Sequence, residues 1–229
     1  NYIKNAASLT KQLLGFARRG KYEIKPTDVN DMVNKSSEMF GRTKKEITIH
    51  KKCHPDIWTV EVDQLQIEQV LLNLYVNAWQ AMSGTGDLYL QTENIILNDN
   101  DVKPYGVNSG RYVKISVTDT GAGIDETIQH RIFDPFFTTK EVSRGTGLGL
   151  ASVYGIIKNH SGIINANSKK GEGATFNIFL PASEKKIFKE KMIQKEILKG
   201  SETVLLVDDE DMILDVGRAL LEKFGYEVL

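Results

Sequence analysis

Residues 116–150 read SVTDTGAGIDETIQHRIFDPFFTTKEVSRGTGLGL, and this stretch decides the fold. Val113, Ile115 and Val117 alternate as a buried strand that ends on an acid, Asp119, with Gly121 and Gly123 directly after it. One carboxylate is thereby delivered to the open end of a strand. Farther on, Gly145, Gly147 and Gly149 run into the helical spacing of Leu150, Val153, Tyr154 and Ile157. That brings flexible backbone N–H groups to a helix N-terminus, an arrangement that attracts phosphate. Neither common phosphate loop explains it. A dinucleotide site needs G-x-G-x-x-G coupled to a preceding strand, whereas these glycines are spaced G-x-G-x-G and follow Phe136-Phe137-Thr138-Thr139-Lys140. A Walker loop needs G-x-x-x-x-G-K-[ST]; the nearest match, Gly15 to Lys21, continues with Tyr22 and has no strand before it.

The whole chain has room for one well-cored domain plus fragments: 229 residues, 41% hydrophobic and 26% charged. Its 29 Lys and Arg against 30 Asp and Glu leave no global electrostatic footprint for nucleic acid or an anionic membrane, so affinity for phosphate has to be local. A single cysteine, Cys53, excludes an internal disulfide and a thiolate metal site, and a cytoplasmic setting is expected. No apolar run is long enough to span a bilayer, and the start, Asn1-Tyr2-Ile3-Lys4, carries neither an initiator methionine nor a signal pattern. The expectation is a piece of a longer protein.

In order along the chain, Leu9, Leu13, Leu14 and Phe16 predict a helix over residues 4–19 with one apolar face, stopped by Gly20. A second helix is expected from about Val29 to Phe40, capped by Thr27 or Asp28, with Met32, Val33 and Phe40 in the core. Ile47 and Ile49 alternate in one short run and Trp58, Val60 and Val62 in another, which suggests two strands paired with each other. The segment from Asp63 to Met82 is the strongest helix. One stripe is apolar (Ile67, Val70, Leu71, Leu74, Ala78, Ala81) and a second is all amide (Gln66, Gln69, Asn73, Asn77, Gln80). A solvated face normally carries Lys, Glu and Arg, because mid-helix asparagine competes for the backbone. The amide stripe is either an uncharged solvated face or a set of neutral donors and acceptors facing a ligand or hydrated metal.

Strands are expected at Leu88 to Ile96 and Arg111 to Val117, with a loop from Leu97 to Gly110 between them. After the glycine-rich region come a helix to about His160, strands at Gly162 to Ala166 and Thr175 to Leu180 joined by a turn at Lys169 to Gly173, and Pro181 as the close of the domain. Ser183 to Lys199 is a charged helical connector. Thr203 to Val207 begins a new strand that runs into Asp208-Asp209-Glu210, followed by an amphipathic helix (Ile213, Val216, Leu220, Phe224) and a strand start at Tyr226.

The order QVLLNLYVNAWQAM (69–82), DTGAGI (119–124), FDPFF (133–137), GTGLGL (145–150) and GEGATF (171–176) resembles the N, G1, F, G2 and G3 boxes of bacterial sensor histidine kinases. The resemblance covers roughly Thr27 to Pro181. It implies a GHKL-type α/β two-layer sandwich, shared with the gyrase, heat-shock chaperone and mismatch-repair ATPases, in which a mixed, mainly antiparallel sheet backs three helices and ATP or ADP lies between them. By this resemblance Asp119 accepts a hydrogen bond from the adenine amino group, and Gly121 and Gly123 let the backbone approach the base. Asn77 and Asn73 hold Mg²⁺ on the phosphates, which suits a hydrated ion. Gly145, Thr146, Gly147, Leu148, Gly149 and Leu150 meet the phosphates, and Thr175 approaches the adenine side. Ile124 to Thr146 form the ATP lid. Ala81, Ile124, Phe137, Thr138, Thr139 and Lys140 complete the nucleotide contacts, while Phe133, Phe136 and Phe137 anchor the lid.

Two positions depart from the family pattern. Gln80 and Ala81 stand where many members carry a basic side chain or tyrosine, so Lys140 or Arg144 in the lid is expected to meet the phosphate charge. Asn73 stands where the hydrolytic relatives carry a glutamate base, which favours phosphoryl transfer over hydrolysis. A hydrolytic clamp and a nucleotide-binding domain without transfer are the alternatives.

The ends fit the same family. LTKQLLGFARRGKYEIKPTDVN (9–30) resembles the end of the second dimerisation and phosphotransfer helix, whose acceptor histidine would lie upstream; His50, His54, His130 and His160 sit in no such context. TVLLVDDED (203–211) resembles the first strand of a flavodoxin-like receiver, with Asp208 and Asp209 as its Mg²⁺-binding acids. The implied layout is a hairpin end at 1–20, a catalytic domain at 21–182, a linker at 183–200 and a truncated receiver at 201–229 that cannot build its core alone. The implied partners are the hairpin, a receiver and a second copy of the parent protein, which could itself be membrane-anchored; no nucleic acid is implied.

Overall fold

The computed structural model describes residues 23–139, 146–185, 200–207 and 211–229. The expected first helix and most of the expected connector lie outside them. The chain divides into two units, 1–187 and 188–229.

In the first unit the described residues form a seven-stranded sheet. Its strands are β1 (Ile24–Thr27), β2 (Ile47–Cys53), β3 (Thr59–Asp63), β4 (Gly86–Leu97), β5 (Gly110–Asp119), β6 (Ile163–Ser168) and β7 (Ala174–Ser183). The order is β1-β3-β7-β5-β4-β2, with β6 also paired to β7; only the β2–β4 pair is parallel. Helices α1 (Val29–Thr43), α2 (Gln64–Ala81) and α3 (Gly149–Asn159) supply the other side of the core. Alternation along β5 sends Val113, Ile115 and Val117 into it, where they meet the buried Leu71, Leu74, Val153 and Ile157. Each such side chain, fully buried, contributes roughly 1.5–3 kcal/mol.

Local chemistry sets the helix starts. Asp28, not Thr27, caps α1: its carboxylate accepts from Asn30 N–H (2.8 Å) and Asp31 N–H (3.4 Å). The Thr27 hydroxyl instead donates to the Lys25 carbonyl (2.8 Å) and accepts from Gln64 Nε2 (3.2 Å). Asp63 caps α2 by accepting from Gln66 N–H (3.2 Å). The apolar stripe of α2 also includes Tyr75, fully buried, whose hydroxyl shares a hydrogen bond with Ser36 Oγ (3.3 Å) and whose pKa burial pushes up to about 12.

Several expectations are corrected. β2 and β3 do not pair with each other: β2 is an edge strand parallel to β4, and β3 lies between β1 and β7. The connection between them is pinned instead to β4, through His54 N–H to the Thr92 carbonyl (3.2 Å) and Trp58 N–H to Asn94 Oδ1 (2.9 Å). β1 was not anticipated; it contains Pro26, which an edge strand tolerates because no ladder N–H is required there. Pro181 does not close the domain, since β7 continues to Ser183 and pairs with Thr59. The segment from Leu97 to Gly110 is more than a loop. It contains a one-turn helix, Asp99–Val102, with a capping box between Asn98 and Asp101, and folds over a small second cluster of Leu97, Val102, Tyr112 and Ile163.

In the second unit, β8 (Thr203–Val204) and β9 (Glu227–Val228) are parallel, with α4 (Asp211–Lys223) between them in sequence. Leu206 N–H to the Leu229 carbonyl (3.0 Å) extends the ladder. This is the expected strand–helix–strand; Asp208 and Asp209 lie outside the described residues.

Candidate functional site

Asp119 closes β5 between Leu88 of β4 and Ala174 of β7. It is 4% exposed, and its Oδ1 accepts from Gly121 N–H at 2.8 Å. Burial pushes its carboxyl above the ordinary aspartate range, a shift that the backbone N–H groups of Gly121 and Ala174 partly oppose. A buried carboxylate supported only by backbone donors keeps acceptor capacity for a ligand.

The turn after Asp119 lies against the end of α2, where Ala122 N–H donates to the Ala81 carbonyl (3.1 Å). On its other side, Gly171 N–H in the β6–β7 turn donates to the Ala122 carbonyl (2.8 Å). Gly173 is indispensable to this seam: its φ is +80°, and a Cβ there would stand 2.0 Å from the Asp119 carbonyl oxygen. Gly173→Ala is expected to cost at least about 2 kcal/mol of stability. Urea denaturation measures it, and a variant as stable as the wild type would contradict this packing.

The amide stripe of α2 is not uniform. Gln69 and Gln80 are exposed, whereas Gln66 Oε1 is buried without a hydrogen-bond partner among the described residues. Asn73 and Asn77 are half-buried, and neither side chain bonds to another described residue. Two unpartnered, partly sheltered amides fit a hydrated cation or ligand oxygens better than they fit a solvated face. Among the described residues, no three His, Cys, Asp or Glu side chains converge as a metal site.

At the start of α3 the N-cap residue, Leu148, supplies no side-chain hydrogen bond, so the first N–H groups of that helix have no side-chain cap. The approach to it is held tightly. Gly147 has φ +66°, a Cβ there would stand 2.4 Å from the Phe136 carbonyl carbon, and Phe136 N–H donates to the Gly147 carbonyl (3.0 Å). Thr146 Oγ1 accepts from Leu148 N–H (3.4 Å). Of the three phenylalanines, Phe133 and Phe137 pack on the core, Phe133 with its ring 5.7 Å from Tyr154 and Phe137 under the Arg131 guanidinium (4.6 Å). The Phe136 side chain is 72% exposed and is not among those packed on the core.

Thr175, expected on the adenine side, has its side chain on the face of the sheet opposite that of Asp119. Asp119 stands opposite Ala174, and Thr175 is one residue on, so its hydroxyl lies on the other face of the sheet, bonded to Thr118 Oγ1 (2.9 Å). Ala174 lies on the face of Asp119. The lid positions Ile124, Thr138 and Thr139 are described, whereas Lys140, Arg144 and Gly145 lie outside the described residues. His160 is structural: Nε2 accepts from Asp63 N–H (3.0 Å) while Nδ1 faces the Ile156 carbonyl (2.8 Å).

The family model described as histidine kinase-, DNA gyrase B- and HSP90-like ATPase matches residues 62–184. The chain is 43% identical over 234 residues to the sensor kinase CckA of Brucella abortus (strain 2308), covering 97% of this chain and 25% of that protein. It is 33% identical over 177 residues to the sensor histidine kinase ZraS of Escherichia coli (strain K12), covering 76% of this chain and 35% of that protein. It thus spans 25% to 35% of the length of these curated relatives. Among solved structures, the catalytic domain of histidine kinase ThkA superposes with a TM-score of 0.58 at 28% identity, covering 70% of this chain and 96% of that one.

Proposed function

Because this chain belongs to the histidine kinase-, DNA gyrase B- and HSP90-like ATPase family, with the ATP-binding catalytic domain in its sensor histidine kinase form, we propose that it positions Mg·ATP for transfer of the γ-phosphoryl group to a histidine of a dimerisation hairpin. The observation that carries this is Asp119, a carboxylate buried at a strand end and held by backbone N–H groups, which leaves acceptor capacity for an adenine amino group. Asn73 and Asn77 would hold hydrated Mg²⁺, which neutralises phosphate charge when bound. The N–H groups opening α3, with Gly147, would orient the phosphates, and Lys140 would add a cation. Catalysis by such residues is positioning and charge neutralisation. With asparagine at position 73 this chain offers no general base there for water, so transfer is favoured over hydrolysis.

The layout accompanying this reading assigns 1–20 to the hairpin end, 21–182 to the catalytic domain, 183–200 to a linker and 201–229 to the start of a receiver. The parallel β8–α4–β9 arrangement supports the last assignment, with Asp208 and Asp209 as Mg²⁺ ligands. The parent protein would act as a homodimer with its catalytic domain in the cytoplasm; no described helix is long and apolar enough to cross a membrane.

Calorimetric titration with ADP and a non-hydrolysable ATP analogue, with and without Mg²⁺, tests the nucleotide site, and label transfer from γ-labelled ATP to a supplied acceptor hairpin tests the reaction. Binding plus a labelled hairpin is expected. No binding under any condition overturns the nucleotide reading, and release of free phosphate without labelling of the hairpin overturns the transfer reading.

A further inference from the structure

Three segments of the nucleotide site meet at the last residue of β6, and one hydroxyl joins two of them. Ser168 Oγ accepts from Ile124 N–H (2.8 Å) at the root of the lid and donates to the Gly173 carbonyl (2.6 Å) in the β6–β7 turn. Its own backbone carbonyl accepts from Gln129 Nε2 (2.5 Å), in the short 3₁₀ turn Glu126–Arg131. Gly173 packs directly on the Asp119 carbonyl, and the next residue, Ala174, is the register partner of Asp119. Ser168 is half-buried, and its hydroxyl both donates and accepts, so no other residue type of that size without a hydroxyl could hold both bonds.

We propose that Ser168 is a positioning residue that fixes the lid root at a set distance from the Asp119 pocket, so that discrimination between adenine and other bases depends on a side chain that is not itself part of the base contact. The inference rests on the nucleotide reading above. Without the hydroxyl, Ile124 N–H and the Gly173 carbonyl lose their shared partner, and the turn bearing Gly121 and Gly123 is held to the β6–β7 turn by the Gly171–Ala122 bond without the second clasp at Ile124. The carboxylate stays, but the wall that aligns a base against it shifts. A merely structural clasp would lower stability and leave base preference untouched.

The test uses the full 229-residue chain as wild type, Ser168→Ala and Ser168→Thr. Affinities for ADP and GDP are measured together with amide hydrogen exchange at Ile124 and thermal melting. Ser168→Ala is expected to weaken ADP binding about 10-fold while changing GDP binding by less than about 2-fold, and to speed exchange of the Ile124 amide about 10-fold. Threonine, which keeps the hydroxyl, is expected to restore the wild-type ADP preference and protection. An alanine variant with wild-type base preference and Ile124 protection overturns the inference, whatever its melting temperature, and so does a threonine variant that behaves like alanine. A wild-type chain that binds no ADP overturns the nucleotide reading and this inference with it; normal wild-type binding with an unchanged alanine variant overturns this inference alone.

Discussion

Asp119→Asn is expected to weaken ADP binding about 10- to 100-fold, the loss of one hydrogen bond to a charged acceptor, and at the same time to make the protein harder to melt. The two effects share one cause. Burial raises the Asp119 carboxyl, so the folded chain holds that proton more tightly than the unfolded chain does. Ionised Asp119 therefore costs stability at any pH above its folded value; the cost is relieved as pH falls through that value and is gone below the unfolded one. Asparagine, nearly isosteric and uncharged, removes the cost at neutral pH, and a gain of about 1 kcal/mol would raise the melting temperature by about 2–4 °C. Wild-type ADP affinity should also decline on acidification at a higher pH than an ordinary aspartate would require, because the acceptor must be ionised. Calorimetry and melting curves on one pair of proteins check both. Unchanged affinity would remove Asp119 from the base pocket; a lower melting point would show that its carboxylate is held by more than backbone N–H groups.

Asn77→Ala is expected to cost on the order of 100-fold in phosphoryl transfer to a supplied hairpin, comparable to losing a group that orients a bound metal. Its effect on ADP affinity without Mg²⁺ should be below about 3-fold, since only one neutral contact is lost. This difference distinguishes an amide that serves the ion from one that merely fills space on α2. Asn77 is half-buried and bonds to no other described residue, so alanine should leave no internal partner stranded. An equal loss with and without Mg²⁺ would place Asn77 against the nucleotide and away from the metal. Asn73→Ala should show the same Mg²⁺ dependence.

The elements that bear the candidate site are specified by local signals in the sequence. The helix around Asn73 and Asn77, the strand ending on Asp119 and the helix opened by Gly149 stand within a residue or two of their expected bounds, because caps and period are local signals. Strand pairing is not local. The alternations of β2 and β3 were visible, but alternation gives a strand its two faces and says nothing about which neighbour lies beside it. The face of Thr175 is legible in the sequence: Phe176, Ile178 and Leu180 put the even positions of β7 in the core, so Ala174 shares their face and Thr175 does not. Ser168 is a different case. Its importance lies in bonds to Ile124 and Gly173 at once, and the distant partner, Ile124, comes within reach only in the folded sheet.

The strand order has a consequence for how this domain comes into being. β7 is last of the seven to leave the ribosome, yet among the described strands it alone connects the β1–β3 pair to the β2–β4–β5 group, and it is the one described partner of β6. Until residues 174–183 emerge, β3 and β5 each present an unpaired edge where β7 will join them. Closure of the sheet therefore waits for β7, and the pairing of Asp119 with Ala174 forms only once that strand is seated. A nascent chain stalled before β7 would have every box but the last and no pocket.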